Sequence, residues 1–185
     1  MKKRGILKYL KETRKYILVI TILFLATALI GYFFPVFFEN EILKFIEELA
    51  KQTQNYNLTQ LLFFILQNNL KSSFTSLIFG AGFGIVPIIS TIFNGYVLGF
   101  VSNLAVESAG FSSLLSLLPH GIFEIPAIIL SLSLGLKLGI EIITKKPRKK
   151  QFIYNLEKSL WAFIYIIIPL LIIAAIIEAV FIALR

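Results

Sequence analysis

The chain of 185 residues contains no cysteine and no aspartate, and it has a single histidine. Without cysteine it forms no disulfide, no thiolate metal site and no cysteine nucleophile. Without aspartate it has neither a Ser-His-Asp triad nor a pair of catalytic aspartates, and all ten acidic residues are glutamates. These absences argue against an enzyme, and we expect neither a cofactor nor a metal site.

Charge is also scarce, because charged residues make up 15% of the chain and hydrophobic residues 57%. A soluble domain of this length could not bury that much apolar surface, so the composition indicates an integral membrane protein in a lipid bilayer. The net charge of +8 comes almost entirely from residues 1–16 and 141–158. Basic blocks beside membrane spans are typical of cytoplasmic flanks near anionic lipid. No nucleic-acid-binding pattern accompanies the bases, so we expect no nucleic-acid partner.

Long apolar runs divide the chain into the spans of a single membrane domain, residues 1–185. A helix needs about 20 residues to cross the hydrocarbon core. The basic N-terminus is expected in the cytoplasm, which makes the chain a multi-pass protein of the cell membrane. Residues 39–60 carry apolar positions at helical spacing opposite glutamates, which predicts an amphipathic helix on the outer surface. The predicted spans are residues 17–38, 70–88, 89–105, 114–140 and 160–184, with a cytoplasmic basic loop at 141–158.

The segment 61–105 allows more than one path through the membrane. It could form one long helix, two helices, or a helix followed by a re-entrant hairpin. Both basic blocks are expected on the cytoplasmic side, so this segment must add zero or two crossings. A tight reversal is expected among Gly82, Gly84, Pro87 and Asn94. The predicted fold class is therefore an all-α membrane protein with about five transmembrane helices, some broken or re-entrant, and an amphipathic surface helix.

Small residues recur four positions apart on the predicted helices. Such spacing places them on one helix face, where two backbones can approach closely. The contacts could lie within the chain or between copies in a homo-oligomer. The residues concerned are Gly80 with Gly84, Gly95 with Gly99, and Ser131 with Gly135 and Gly139.

Ionisable residues lie deep in the span 114–140. His120 and Glu124 are four residues apart and share a helix face, with Glu124 near the bilayer midplane. Glu124 is expected to be neutral in its protonated form, paired with His120, or turned to a water-filled cavity. Asn69 and Asn94 could join it across the bundle. This polar centre could be a proton, ion or substrate site, or a hydrogen-bond network that only stabilises the fold.

Helix-breaking residues surround the same centre. Pro119 and Pro126 free backbone carbonyls one turn before them, and Gly121 adds flexibility. The pattern predicts a helix break at these three residues. Lys137 is expected to reach the headgroups at the inner end of the span, and Glu178 to lie near the outer interface of the last span.

The stretch from Leu117 to Gly139, together with segments upstream, resembles the stage II sporulation protein M family. The resemblance covers roughly residues 65–140. It rests on Pro119, His120, Gly121, Glu124, Pro126, Ala127, Gly135 and Gly139, and upstream on Asn69, Gly80, Gly84, Asn94, Gly95 and Gly99.

The resemblance implies an all-helical membrane protein with about five spans. In spore-forming bacteria the family member works with two peptidoglycan hydrolases at the septal membrane, as their anchor and scaffold during engulfment. Relatives also occur in non-sporulating bacteria and archaea. Our first hypothesis is thus a non-enzymatic scaffold that recruits other membrane or cell-envelope proteins. The alternative is a transporter or channel for a small solute, ion or lipid that uses His120 and Glu124.

Overall fold

In a computed structural model, the chain folds into a bundle of helices. The structure describes residues 3–80, 82, 84–145 and 149–184, apart from the side chains of residues 3, 4, 116, 117, 120 and 145. The helices are α1 (Lys3–Phe33), α2 (Glu39–Thr53), α3 (Leu58–Gly80), α4 (Ile85–Ala109), α5 (Leu114–Lys145), α6 (Lys149–Ala162) and α7 (Ile168–Ala183). A 3-10 turn, Phe111–Ser113, precedes α5, and a π turn, Phe163–Ile167, joins α6 to α7.

The exterior of the bundle is apolar. Within the described residues, four segments are long and apolar enough to cross a membrane, and they lie in α1, α4, α5 and α6–α7. The outward side of α1 carries Leu18, Ile22 and Leu29, each about 60% exposed. So much apolar surface is favourable in lipid and unfavourable in water. The predicted all-α membrane fold is confirmed.

The helix α5 forms the centre of the bundle. All residues of 131–139 are buried, and α1, α3, α4 and α7 pack around them. Ile20 of α1 packs with Leu132 of α5, and the earlier α1 residue Thr13 lies beside the later α5 residue Lys137. The two helices are therefore antiparallel.

The bundle therefore has two distinct ends. One end, here called the α2 end, holds α2 and the C-terminal end of α1. The opposite end, here called the α6 end, holds α6, the N-terminal half of α1 and the turn between α3 and α4.

The segment 61–105 forms two helices with a boundary earlier than predicted. α3 ends at Gly80 and α4 begins at Ile85, so the expected boundary between residues 88 and 89 lies inside α4. Gly84 has a φ of 70°, a left-handed conformation that glycine adopts without strain. Pro87 falls in the first turn of α4, where its missing N–H costs no helical hydrogen bond. Neither α3 nor α4 is a re-entrant hairpin.

The two segments expected outside the membrane also differ from the prediction. Residues 39–60 divide into α2 and the start of α3, and the predicted basic loop 141–158 is mostly helical. α6 forms because its inward residues follow helical spacing among the lysines and pack on the bundle. These inward residues are Phe152, Asn155, Leu156, Lys158, Ser159 and Ala162.

The small residues pack helices within the chain. A Cβ added to Gly80 would lie 2.6 Å from the Cα of Gly135, so α3 and α5 touch through their backbones. The Ser131 hydroxyl donates to the Ser73 carbonyl at 2.6 Å and joins the same pair of helices. Added carbons on Gly95 and Gly99 would collide with α1, and one on Gly139 would collide with Gly84. The intramolecular interpretation therefore accounts for all the predicted small-residue positions.

Candidate functional site

A cavity of about 550 Å³ opens inside the half of the bundle nearest α2. Residues from six helices, α1 to α5 and α7, line it. Most of the described lining residues are apolar. The polar ones are Asn68, Asn69, Asn94, Glu124 and Glu178.

Two glutamates line this cavity. Glu124 lies ten residues into α5, about 15 Å along the helix axis. The side chain of Asn69 on α3 is a hydrogen-bond partner of the Glu124 carboxyl group, and the carboxyl group of Glu178 on α7 interacts with it electrostatically. Glu178 was expected near the outer interface as a solvated residue, but it lines the cavity instead, because α7 turns it toward α5.

Asparagine side chains extend the polar surface to α3 and α4. The Asn94 amide donates to the carbonyl of Ser90 on its own helix at 2.7 Å, which holds the side chain at the cavity wall. Three of the four residues predicted to form a polar centre, Glu124, Asn69 and Asn94, thus lie around one space. The side chain of His120, the fourth, lies outside the described part of the structure, and so does its predicted pairing with Glu124.

The predicted helix break is not observed. α5 runs without interruption from Leu114 to Lys145, with Pro119 and Pro126 inside it. A proline removes one helical hydrogen bond, yet membrane helices tolerate this where neighbouring helices hold them in place. Ala127, directly after Pro126, is fully buried against the bundle. Gly121 belongs to this continuous helix and lines the cavity, where the absence of a side chain leaves room.

The amphipathic helix α2 covers the cavity. Its apolar side supplies Phe45, Ile46 and Leu49 to the lining, and Ile42 is buried against Tyr96 and Phe100 of α4. The polar face of α2 points away from the bundle. The cavity therefore has polar groups on the bundle helices and an apolar cover from α2.

The connection between α1 and α2 is fastened to α4 by one side chain. The Tyr96 hydroxyl accepts a hydrogen bond from the Phe37 backbone N–H at 2.9 Å and donates one to the Phe34 carbonyl at 3.1 Å. Phe38 then adopts a left-handed backbone with φ 56°, which is costly for a residue with a Cβ. Together these features direct α2 across the mouth of the cavity.

A second group of buried polar residues lies at the α6 end. Lys137 is 4% exposed, and its ammonium group lies 3.5 Å above the ring of Tyr9 and 3.3 Å from the Thr13 hydroxyl. The Tyr9 hydroxyl shares a hydrogen bond of 2.9 Å with Ser159 on α6. The expectation that Lys137 reaches the headgroups is therefore wrong, because α1 and α6 enclose it.

α6 contributes an amide to the same group. The Asn155 amide donates to the carboxylate of Glu141, which stands one helical turn beyond Lys137 on α5. Ser131 lies on the same face of α5 as Glu124, whereas Ser133, Lys137 and Glu141 lie on a different face of this helix.

Sequence reasoning missed Asn68 and Glu178 as members of the site. Asn68 directly precedes the predicted Asn69, so the Asn-Asn pair was an available signal. Glu178 could have been found as the second carboxylate within an apolar span, because such residues usually face the bundle interior. Its assignment as a solvated residue counted positions along the helix and ignored which way the helix faces.

Comparisons with known proteins agree with the resemblance in the sequence. A family model described as Stage II sporulation protein M matches residues 20–181. An uncharacterized protein of Methanocaldococcus jannaschii is 35% identical over 118 residues, which cover 62% of this chain and 66% of that protein. A second uncharacterized protein of that organism is 33% identical over 172 residues, 88% of this chain and 75% of that protein. The chain thus spans about two thirds of the first relative. No solved structure matches it at a significant level.

Proposed function

The chain belongs to the stage II sporulation protein M family, and with that membership as our premise we propose that it is a membrane transporter that loads a small solute beneath α2. The observation that carries the proposal is the cavity, which brings about 550 Å³ of space to Glu124 inside the bundle. Pockets for small molecules typically measure about 300 to 1,000 Å³.

A second group of ionisable residues on α5 lies beyond the cavity. Intramembrane ionisable residues are expensive, and they commonly mark solute or proton pathways. Lys137 and Glu141 lie on the same helix as Glu124, between the cavity and the α6 end. The buried stretch 132–136 lies between Glu124 and Lys137 on this helix. We interpret the arrangement as a state loaded from one side and closed on the other.

Charge suggests which side is loaded. The exposed bases of α1 and α6, among them Lys11, Arg14 and Lys150, all lie at the α6 end. Bases beside membrane spans favour the cytoplasmic side. The α2 end and the mouth of the cavity would then face outward.

Liposome uptake tests this proposal. Purified protein is reconstituted, and uptake of three radiolabelled probes is followed: tetraethylammonium as a cation, mannitol as a neutral solute and methanesulfonate as an anion. We expect at least one probe to enter faster than into protein-free liposomes. Glu124→Gln should reduce that rate at least tenfold, because it removes the charged group at the centre of the cavity.

The matched control is Glu107→Gln, which makes the same chemical change on an exposed residue near the same end of the bundle. It should transport like the unsubstituted protein. Uptake of all three probes at the protein-free rate, or equal uptake by the Glu124 variant, would contradict the proposal. Circular dichroism of each variant checks that the helices are intact.

The scaffold role is the second candidate, and the exposed face of α2 favours it. Glu41, Lys44, Glu47 and Glu48 on this face are exposed and make no contact that holds α2 to the bundle. Such a face is available to a cell-envelope partner. The scaffold hypothesis predicts that reversing these charges releases a stoichiometric partner from native membranes without changing uptake. Co-purification with and without the changes measures this, and an identical set of co-purified proteins would count against it.

A further inference from the structure

The lining of the cavity identifies a class of ligand. We propose that the site binds a small amphiphilic cation, with its ammonium group between Glu124 and Glu178 and its apolar body against the aromatic side chains under α2. This inference rests on the proposed function for its biological setting, but the binding itself can be measured without transport.

Charge is the first argument. The described lining contains two carboxyl groups and no lysine or arginine. Two carboxylates that interact in a partly apolar space repel each other when both are ionised, and a cation between them turns that repulsion into attraction. The Asn69 side chain, already beside Glu124, adds a carbonyl oxygen that can accept a hydrogen bond from an ammonium group.

Apolar surface is the second argument. Phe24, Phe45, Phe64 and Phe181 line the cavity from α1, α2, α3 and α7. Aromatic faces attract cations and bury alkyl groups, so they suit both parts of such a ligand. The contribution of α2 is entirely apolar, which provides a separate region for the hydrocarbon part.

Size separates this ligand from a bare metal ion. A hard cation such as Ca²⁺ takes six to eight oxygen ligands at about 2.3–2.6 Å. A cavity of about 550 Å³ with mostly apolar walls is far larger than that shell. Within the described part of the chain, no three His, Asp or Glu residues come together in a group that could hold a metal ion. An organic cation matches both the volume and the walls.

Calorimetry with matched probes tests the inference. The full chain is placed in nanodiscs of zwitterionic lipid and titrated with n-hexylammonium, n-hexanol and n-hexanesulfonate, which share one alkyl length and differ in charge. Protein-free nanodiscs are titrated to subtract partition into lipid. We expect saturable binding of hexylammonium, and at least tenfold weaker binding of the other two probes.

Variants identify the binding groups. Glu124→Gln and Glu178→Gln should each weaken hexylammonium binding at least tenfold, whereas Glu107→Gln should leave it unchanged. Phe45→Ala should weaken hexylammonium but not methylammonium, because it removes only apolar contact. Phe45 is 48% exposed, so we expect the Phe45→Ala variant to fold. It therefore still tests the binding site if a glutamate variant fails to fold.

The outcomes separate this inference from the transport proposal. Equal binding of hexanol and hexylammonium, or hexylammonium binding that neither glutamate affects, would overturn the cation assignment. Uptake of mannitol or methanesulfonate but not of tetraethylammonium would also overturn it while leaving transport standing. Glutamate-dependent binding without uptake of any probe would refute transport and retain the cation site.

Discussion

The close contact between α1 and α4 depends on glycines that have no side-chain carbon. Added carbons on Gly31, Gly95 or Gly99 would each collide with the backbone of the opposite helix. Glycine is required at these positions because a side chain of any size would push the helices apart. The contact belongs to the fold and leaves these glycines unavailable for an interface between copies of the chain.

Gly99→Ala is expected to destabilise the protein. A Cβ there would collide with the Ala28 carbonyl and lie 2.7 Å from the Tyr32 backbone nitrogen, and backbone atoms cannot easily move away. Overpacking of this kind costs about 1 to 3 kcal/mol. Thermal unfolding in detergent, followed by circular dichroism, measures it. The control is Gly5→Ala, where the nearest atom is the flexible Lys158 Nζ at 3.5 Å. Equal midpoints for both variants would contradict the predicted close contact.

The polar centre was partly predictable from its residues. Glu124, Asn69 and Asn94 are costly at membrane depth, so each was expected to face the interior, and interior side chains of neighbouring helices meet. The predicted break at Pro119 is not observed for a different reason. The proline costs one backbone hydrogen bond locally, but packing against four helices decides whether the helix continues. The missed Glu178 has a similar cause, since its direction depends on the π turn that ends eleven residues earlier in the chain.

At the scale of helices, α2 is held at its start. Tyr96 is 9% exposed and bonds both the N–H of Phe37 and the carbonyl of Phe34. Hydrophobic periodicity predicted α2 as a surface helix, but nothing in the residue pattern indicated that α2 covers a cavity. The position of α2 depends on the Tyr96 hydroxyl, which accepts a hydrogen bond from the N–H of Phe37, 59 residues earlier in the chain.

Tyr96→Phe is expected to loosen α2 while leaving the bundle intact. It removes both hydrogen bonds to the α1–α2 connection, at a cost of about 1 to 3 kcal/mol. Hydrogen exchange followed by mass spectrometry should show faster exchange in residues 34–53 and unchanged exchange in α5. Tyr165→Phe, at an exposed ring beside Trp161 near the other end of the bundle, is the control. Unaltered exchange at residues 34–53 in the Tyr96 variant would show that the hydroxyl does not hold α2.

The basic composition of residues 141–158 predicted a loop, but most of this segment is helical and includes the start of α6. Its lysines suggested a loop, yet a helix is decided by the spacing of the residues that pack, here Phe152, Leu156 and Ser159. Asn155 and Ser159 then bond to α5 and α1 respectively. Polar residues in a basic segment can thus be the buried ones.

At the scale of the whole molecule, the antiparallel order of the helices places α2 and α6 at opposite ends. Three helices, α3, α4 and α5, lie between them along the chain. α4 and α5 are among the four segments apolar enough to cross a membrane and α3 is not, so the two ends lie on opposite sides only if α3 also crosses. The basic residues favour the cytoplasm for α6. If α3 did not cross, both would lie on one side.

Labelling of introduced cysteines should distinguish these arrangements. The chain has no cysteine, so Lys44→Cys on α2 and Lys150→Cys on α6 can be introduced without background. A membrane-impermeant maleimide added to intact cells is expected to label the α2 position, and to label the α6 position only after permeabilisation. The unsubstituted chain serves as the blank. Labelling of both positions from one side would contradict three crossings.

The π turn at Phe163–Ile167 governs what the last helix presents to its neighbours. A π turn holds one residue more than an α-helical turn and stands just before Pro169, which has no N–H to donate. Each residue advances a helix by about 100°. If the same sequence wound this turn as an α-helix, α7 would be rotated by this angle, and Ile177 would occupy the angular position that Glu178 holds now. Whether this wall of the cavity is acidic or aliphatic is thus decided by the winding of a segment that ends eleven residues earlier.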